Sequence, residues 1–220
     1  MARVKIGNVR TPVDYLKQYF APAGFGLGDS ATRLTNADDL NTIWKNGWYR
    51  WGESAPANAP VFLNNNKYSY IRVDGADEQT FTQTAYSVFG DAKGIFMTRN
   101  ITDGVVGEWT YHNPPMEVGK EYRTTERYKN KHVYRKIVAY NLPASTNADF
   151  EVPHGISDFN VLVRQTATIG AGIPLPYTHN ENTTWVSEVN NTNIKVSNTG
   201  QLWDSSYTWN FYLYYTKTTD

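Results

Sequence analysis

The sequence predicts a mainly β protein with short N-terminal helices, then a small β domain, then an antiparallel β-sandwich. From Gly47 to the end of the 220-residue chain, short segments rich in Tyr, Val, Thr and Phe alternate with Gly, Asn, Asp and Pro, which is typical of strands joined by turns. Aromatic residues make up 15% of the chain and charged residues only 19%, which favours sheet faces covered by large rings. Several later segments alternate apolar and polar residues with the two-residue period of a strand.

Capping residues predict two short helices before these strands. Thr11 precedes Pro12, which suits the first helical position, and apolar residues follow at helical spacing. A second helix is predicted from Thr35, with Asp38 as the acid of a capping box and Gly47 as the residue that ends it.

The first half of the chain then predicts five short strands separated by turn residues. Their bounds are Trp48–Trp51, Tyr68–Val73, Phe81–Val88, Ile95–Arg99 and Glu108–Tyr111. Pro114 and Pro115 interrupt the pattern because neither residue can donate a ladder hydrogen bond. The sequence therefore predicts an N-terminal helix and junction at 1–34, a small β domain at 35–113 and a β-sandwich at 116–220.

The second half predicts more regular strands. Glu121–Tyr128 and His132–Asn141 form a hairpin around a short polar turn. In Phe159–Ile169, one face is expected to carry Phe159, Val161, Val163, Ala167 and Ile169. Tyr207–Lys217 shows the clearest alternation, with Tyr207, Trp209, Phe211, Leu213 and Tyr215 on one face. These strands, without a helical period among them, indicate a sandwich.

Composition excludes several classes of protein. The 21 basic residues balance the 21 acidic ones, so the chain lacks the basic surplus with which proteins meet nucleic-acid phosphates. No apolar run approaches the ~20 residues that span a bilayer, and the N-terminus lacks the apolar core of a signal peptide. With no cysteine, neither disulfides nor thiolate metal sites can form. We expect a soluble protein that binds no nucleic acid and does not insert into membranes.

An ordered series of short motifs carries a family resemblance in the first half. Its pieces are AlaAspAspLeuAsn at 37–41, GlyTrpTyr at 47–49, AsnAlaPro at 58–60, TyrIleArgVal at 70–73, ThrGlnThrAla at 82–85, MetThrArg at 97–99, and Trp109. The series resembles the pyocin-knob module of phage tail fibres and R-type bacteriocin fibres. The stretches at 121–128, 141–143 and 215–220 resemble a C-terminal head domain of phage fibres, and 21–28 resembles the junction before such knobs.

The resemblance implies the receptor-binding tip of a tail fibre. Such a tip is a homotrimer without enzymatic activity or cofactor, assembled in the bacterial cytoplasm and carried on the virion tail. Its partners would be a bacterial surface polysaccharide, further copies of the same chain, and upstream tail or baseplate proteins. Two other functions stay open: a small glycan hydrolase on a fibre scaffold, and a purely structural trimerisation tip.

Candidate catalytic and metal-binding residues do not converge in the sequence. The four histidines, which lack partners at metal-ligand spacing, are expected on the surface or in loops. They are His112, His132, His154 and His179. Glycosidase chemistry needs two carboxylates about 5–10 Å apart. Turn formation is the better explanation for Asp74 and Asp77, and helix capping is the better explanation for Asp38. Calcium at Asp74 and Asp77 is the alternative. We expect neither a catalytic centre nor a metal.

Aromatic residues beside amides and hydroxyls in the second half predict glycan binding, since a sugar presents an apolar C–H face and an edge of hydroxyls. Three loop stretches offer this mixture: 177–182, 190–193 and 203–207. The residues predicted to contact glycan are Tyr177, His179, Asn180, Trp203, Asp204 and Tyr207. Trp209 is expected in the core, and the resemblance implies packing roles for Trp44, Trp48, Trp51 and Trp109.

Overall fold

The computed structural model describes residues 30–63, 68–142, 149–170, 172–180, 183–199 and 207–220. The chain divides into two compact units, and the boundary between them lies between Asn113 and Pro114. The predicted helix that begins at Thr11 and the junction at 21–28 lie outside the described residues. Strands dominate both units, so the chain is mainly β.

The first unit is built on one sheet. Its strands are β1 (Thr32–Arg33), β2 (Gly47–Trp51), β3 (Ser69–Gly75), β4 (Phe81–Ser87), β5 (Phe96–Thr102), β6 (Val105–Val106) and β7 (Thr110–Tyr111). The sheet order is β1-β2-β3-β4-β5-β7, with β6 paired to β5. β1 runs parallel to β2, and the other neighbours are antiparallel. Three short 3-10 turns, Leu40–Thr42, Val61–Leu63 and Gly90–Ala92, accompany the sheet.

The helix predicted from Thr35 is wrong, since only a 3-10 turn at Leu40–Thr42 forms in that stretch. The Asp38 carboxylate accepts hydrogen bonds from the backbone N–H (2.7 Å) and hydroxyl (2.9 Å) of Thr35. This contact closes a turn in front of the 3-10 turn, which Asp39 then caps. Asp38 therefore makes the capping contact expected of it, although no α-helix follows.

One face of the first sheet packs on the core of its unit. Alternate residues of the central strands are buried there, as the period of two requires. They are Ile71 and Val73 on β3, Phe81 and Ala85 on β4, and Met97 and Ile101 on β5. Trp51 is 1% exposed in the same core, and Trp44 and Trp109 pack against it. The packing roles expected for these three tryptophans are confirmed.

The second unit is a sandwich of two sheets. Its strands are β8 (Glu121–Tyr128), β9 (Lys131–Leu142), β10 (Phe150–Pro153), β11 (Phe159–Ile169), β12 (Ile173–Leu175), β13 (Tyr177–Asn180), β14 (Thr183–Val189), β15 (Asn193–Thr199) and β16 (Tyr207–Lys217). The larger sheet has the order β8-β9-β16-β11-β12 and the smaller one β10-β15-β14-β13, with antiparallel neighbours in both. The predicted hairpin of β8 and β9 is confirmed. Lys129 and Asn130 form its turn with φ of 49° and 68°.

The core of the second unit lies between its two sheets. Trp209, Phe211, Leu213 and Tyr215 of β16 are each at most 1% exposed and meet Ile194 and other residues of the smaller sheet. This confirms both the predicted apolar face of β16 and the core position of Trp209. The strand is internal, as its composition requires, since β9 and β11 flank it.

The face predicted for β11 is partly wrong. Register shifts occur between Phe159 and Val161 and between Leu162 and Arg164. A bulge inserts a residue and changes the face on which later side chains lie. As a result Leu162 packs against the core, whereas Val161 is 39% exposed.

Candidate functional site

The structure places the predicted glycan-binding residues in two groups. The six residues are Tyr177, His179, Asn180, Trp203, Asp204 and Tyr207. The first three lie on β13, an edge strand of the smaller sheet, and not in the loop predicted for them. Tyr207 begins β16 and is half-buried against the core. Trp203 and Asp204 lie outside the described residues.

Strand register brings two chain connections to one end of the smaller sheet. Asn180 of β13 pairs with Thr183 of β14, so the β13–β14 turn lies at this end. Thr184, the next residue, pairs with Thr199 at the end of β15. The end of β15 therefore lies beside the start of β14 and close to the end of β13. This part of the smaller sheet, from Asn180 to Thr199, is named the 180/199 end.

The stretch 190–193 lies elsewhere, contrary to its grouping with the other two stretches. It joins β14 to β15 at the opposite end of the smaller sheet, where Val189 pairs with Ile194. The Asn190 side-chain oxygen accepts hydrogen bonds from the backbone N–H groups of Thr192 and Asn193, both at 2.8 Å. Asn190 thus stabilises a tight turn, which explains its presence without a ligand.

Two of the histidines are buried. His132, on β9, corrects the expectation that all four lie on the surface or in loops, whereas His154 lies in the loop after β10, as expected. His132 is 8% exposed and its Nδ1 lies 3.0 Å from the carbonyl oxygen of Thr124. His154 is 2% exposed, and its Nε2 lies 3.2 Å from the carbonyl oxygen of Asn190. The His154 Nδ1 accepts the backbone N–H of Ile156 at 3.1 Å. Both rings therefore hydrogen-bond to backbone groups of neighbouring segments.

Burial also lowers the pKa of both rings below the ordinary 6.5. For His154 the geometry adds a second reason, because protonation would place a hydrogen on Nδ1, which already accepts the N–H of Ile156. His154 therefore fits its site as a neutral ring that donates from Nε2 to Asn190.

The acidic residues considered for catalysis or calcium have structural partners. Asp74 pairs with Arg72 at 2.8 Å on the surface. Asp77 Oδ1 accepts the backbone N–H groups of Gln79 (2.9 Å) and Thr80 (2.8 Å) and so forms a turn. Within the described ranges, no three His, Asp or Glu side chains are close enough together to hold a metal ion.

A buried polar network in the first unit joins residues that are far apart in sequence. Gln83 is fully buried, and its side-chain N–H groups donate to the carbonyl oxygens of Leu40 (2.6 Å) and Ile43 (3.0 Å). Its Oε1 accepts from Arg99 Nε at 2.9 Å. The Arg99 guanidinium lies over the Trp109 ring, 4.5 Å from its centroid. Gln83 and Arg99 belong to two pieces of the motif series, but the sequence assigned neither residue a role, although both are polar residues at inward positions of alternating strands.

The network continues into the cap of the 3-10 turn. Asp39 accepts from the backbone N–H of Asn41 (2.9 Å) and from Asn58 Nδ2 (2.7 Å). Trp109 Nε1 donates to the carbonyl oxygen of Asn58 at 3.3 Å. Burial lowers the pKa of Arg99 to about 10, although the charge of Asp39 opposes this shift. The network thus fixes the 3-10 turn and a loop against β4 and β5.

Trp48 packs outside the core, because it lies on the face of the first sheet that points away from the core. It pairs with Arg72 of β3, whose side chain is exposed. The Trp48 ring meets Tyr86 edge-on with centroids 6.0 Å apart, and neither ring belongs to the core cluster. The sequence could not assign Trp48 to a face, because β2 carries aromatic residues on both faces.

A charged cluster occupies the outer face of the larger sheet in the second unit. Arg135 and Arg164 lie over the Tyr214 ring, 4.9 and 4.0 Å from its centroid. Both donate to Glu126, at 2.6 and 3.1 Å. Partial burial opposes ionisation of Glu126, but the two guanidinium groups outweigh it and hold the pKa of its carboxyl below the ordinary value. The cluster links β8, β9, β11 and β16.

None of the helical turns in the described ranges has the length and apolarity that crossing a membrane requires. No protein-family model and no curated protein matches the sequence.

The structural neighbours of the chain include pyocin tail fibres. The C-terminal part of the P. aeruginosa R1 pyocin fibre is 11% identical, with a TM-score of 0.32 over 85% of this chain and 68% of that one. An N-truncated R2-type pyocin tail fibre is 12% identical, with a TM-score of 0.33 over 86% of this chain and 99% of that one. The C-terminal part of the P. aeruginosa R2 pyocin fibre is also 12% identical, with a TM-score of 0.33 over 86% of this chain and 68% of that one.

Proposed function

We propose that this chain is the receptor-binding tip of a phage or phage-derived tail fibre, which binds bacterial surface glycan and performs no catalysis. Residues 1–34 would join it to the fibre, 35–113 would form a knob-like spacer, and 116–220 would form the head that contacts the host. The tip would be a homotrimer on the virion tail, attached to upstream tail or baseplate proteins.

The buried network of the first unit gives the main support for this proposal. Five separate pieces of the knob-like series contribute to it, and each makes a side-chain or backbone contact with another. The residues are Leu40, Asn58, Gln83, Arg99 and Trp109. Short motifs that match by chance have no reason to meet in one network, whereas motifs of a folding module must pack together.

The 180/199 end supports a glycan-binding role for the head. It contains the end of the edge strand β13, which has the sequence Tyr-Thr-His-Asn, and the end of β15, which precedes the stretch that contains Trp203. Binding residues concentrate on such loops at the end of a rigid sandwich. A shallow sugar site buries little area, so one site would bind in the millimolar range, and three copies on a tip would raise the avidity by ~10²–10⁴.

Adsorption of the fluorescently labelled full chain to a panel of bacterial cells tests this function. We expect binding to at least one strain, competition by its extracted surface polysaccharide, and loss of binding in Trp203→Ala and Asn180→Ala at unchanged melting temperature. Phe89→Ala, at an aromatic side chain of the first unit that is 57% exposed, is the matched control and should adsorb normally.

Three results would contradict parts of the proposal. Shortened polysaccharide chains after incubation would indicate a hydrolase, since a lectin releases none. Trimerisation without binding to any envelope fraction would indicate a structural adaptor. A strict monomer at micromolar concentration in light scattering would exclude the trimer.

A further inference from the structure

A row of five side chains crosses the outer face of the first sheet. Arg33 of β1 pairs with Arg50 of β2, and Arg50 pairs with Tyr70 of β3. Tyr70 in turn pairs with Tyr86 of β4, and Tyr86 with Phe96 of β5. Residues directly opposite each other in neighbouring strands lie on the same face. With ~4.8 Å between strands, this outer row is about 19 Å long.

The aromatic part of the outer row has the composition of a sugar platform. The Tyr70 and Tyr86 rings are stacked 17° from parallel with centroids 5.7 Å apart, and Trp48 meets Tyr86 edge-on. All three rings are half-buried and none belongs to the core. The other outward positions of β3, β4 and β5 are Arg72, Asp74, Thr82, Thr84, Thr98, Asn100 and Thr102. The outer face of these three strands carries rings among hydroxyl, amide and charged groups and no aliphatic side chain. This composition suits a sugar better than it suits the apolar centre of a protein interface.

The basic end of the row opens into a cavity of about 520 Å³. Arg33 and Arg50 line it together with Asn36, Glu53 and Tyr68. The lining therefore has a net positive charge, because it contains the guanidinium groups of Arg33 and Arg50 and only one carboxylate, that of Glu53. Arg50 Nε donates to the carbonyl oxygen of Ala31 at 3.4 Å, which orients its planar group. The volume falls within the ~300–1,000 Å³ of ordinary ligand sites.

We propose that the first unit binds an acidic saccharide along the outer row. Sugar rings stack on Tyr70, Tyr86 and Phe96, and a carboxylate or phosphate on the sugar is held by Arg50 and Arg33 in the cavity. Guanidinium forks bind such anions through two parallel hydrogen bonds. Stacking tolerates many sugars, so the aromatic rings supply contact area and the two arginines supply the selection for charge. This site is separate from the 180/199 end, and it does not depend on a role for that end.

An array of acidic oligosaccharides tests the proposal with the full chain. The probes carry galacturonate, glucuronate, sialate or phosphate, and each is printed beside its carboxyl-reduced or dephosphorylated counterpart. We expect at least one acidic probe to bind in the millimolar range and its neutral counterpart at least 10-fold more weakly. Arg50→Gln should lower affinity for the acidic probe about 10- to 100-fold and leave the neutral one unchanged. Tyr86→Ala should weaken both, whereas Tyr86→Phe, which keeps the ring, should weaken neither.

Arg72→Gln is the matched control for charge, because Arg72 lies on the same face but does not line the cavity. It should retain affinity within about 2-fold. The proposal is overturned if acidic and neutral probes bind alike, if none binds, or if Arg72→Gln and Arg50→Gln weaken binding equally. It is also overturned if Asn180→Ala abolishes binding while Arg50→Gln does not, which would assign the ligand to the head. A change of oligomeric state in Tyr86→Ala would show that subunits cover the row, and would equally overturn it. Melting temperatures of all variants exclude misfolding as the cause.

Discussion

Replacing Gln83 with Leu should destabilise the first unit by about 3 kcal/mol. The variant keeps the volume of the side chain but loses two bonds to the carbonyl oxygens of Leu40 and Ile43 and one from Arg99. A neutral buried bond contributes ~0.5–1.5 kcal/mol and a charged one ~1.5–3 kcal/mol. The apolar surface of the new side chain offsets part of that loss.

Hydrogen–deuterium exchange measures this effect locally. A loss of about 3 kcal/mol corresponds to ~150-fold faster exchange in peptides from β3, β4 and β5 that open through global unfolding of the unit. Peptides from β9 and β16 serve as the internal reference, since the second unit has its own core. The melting temperature of the first unit should fall by roughly 10–15 °C.

Thr84→Ala is the control, because Thr84 is the next residue of β4 and its half-buried side chain lies on the other face. It should change stability by less than ~0.5 kcal/mol. A double-mutant cycle with Arg99→Met should give a coupling energy of ~0.5–3 kcal/mol. If Gln83→Leu melts within 2 °C of the wild type, roughly the change expected from a surface substitution, the network does not hold the unit together and the reasoning is refuted.

Three further substitutions test other parts of the structure. Gly75→Ala would place a Cβ 2.6 Å from the Trp44 carbonyl oxygen and should lower the free energy of unfolding by ~1–3 kcal/mol in urea melts. Gly52→Ala is its control, because no atom lies within 4 Å of the added Cβ, and it should change the free energy of unfolding by less than ~1 kcal/mol. In the wild type, burial lowers the folded pKa of His154, so the unfolded chain binds the proton more tightly and stability falls as pH drops below 6.5. His154→Gln should reduce this dependence of the melting temperature on pH between pH 7.5 and 5. The folded pKa of Glu126 is also lowered, so its contribution is present above pH 4.5 and lost as pH falls further; Glu126→Gln should make thermal stability less dependent on pH between 5 and 3.

Period-two alternation made the long strands predictable from the sequence. The predicted bounds of Glu121–Tyr128, Phe159–Ile169 and Tyr207–Lys217 coincide with β8, β11 and β16. Alternation reports a local geometry, so it identifies a strand without knowledge of its neighbours. It failed where the geometry was interrupted: the bulges in β11 turned Val161 outward. In the same way, a capping pattern at Thr35 correctly gave the local hydrogen bonds but could not give the length of the helix.

The polar network and the outer row could not be predicted, because both depend on strand register. Gln83 lies 43 residues from Leu40, and only the pairing of β3, β4 and β5 determines which side chains meet. For the same reason Arg50, Tyr70 and Tyr86 appeared unrelated in the sequence, although they are consecutive across the sheet. Register is fixed by the buried face as a whole, since a slip of one residue would exchange the two faces.

Each unit places a guanidinium group over an aromatic ring and hydrogen-bonds that group to a polar side chain. Arg99 combines Trp109 with Gln83, and Arg164 combines Tyr214 with Glu126. In a chain without cysteine, such clusters supply cross-links between strands that disulfides cannot supply. The described side chains of the outer row take part in neither cluster. Substitutions in the outer row should therefore alter the binding proposed for it at small cost in stability.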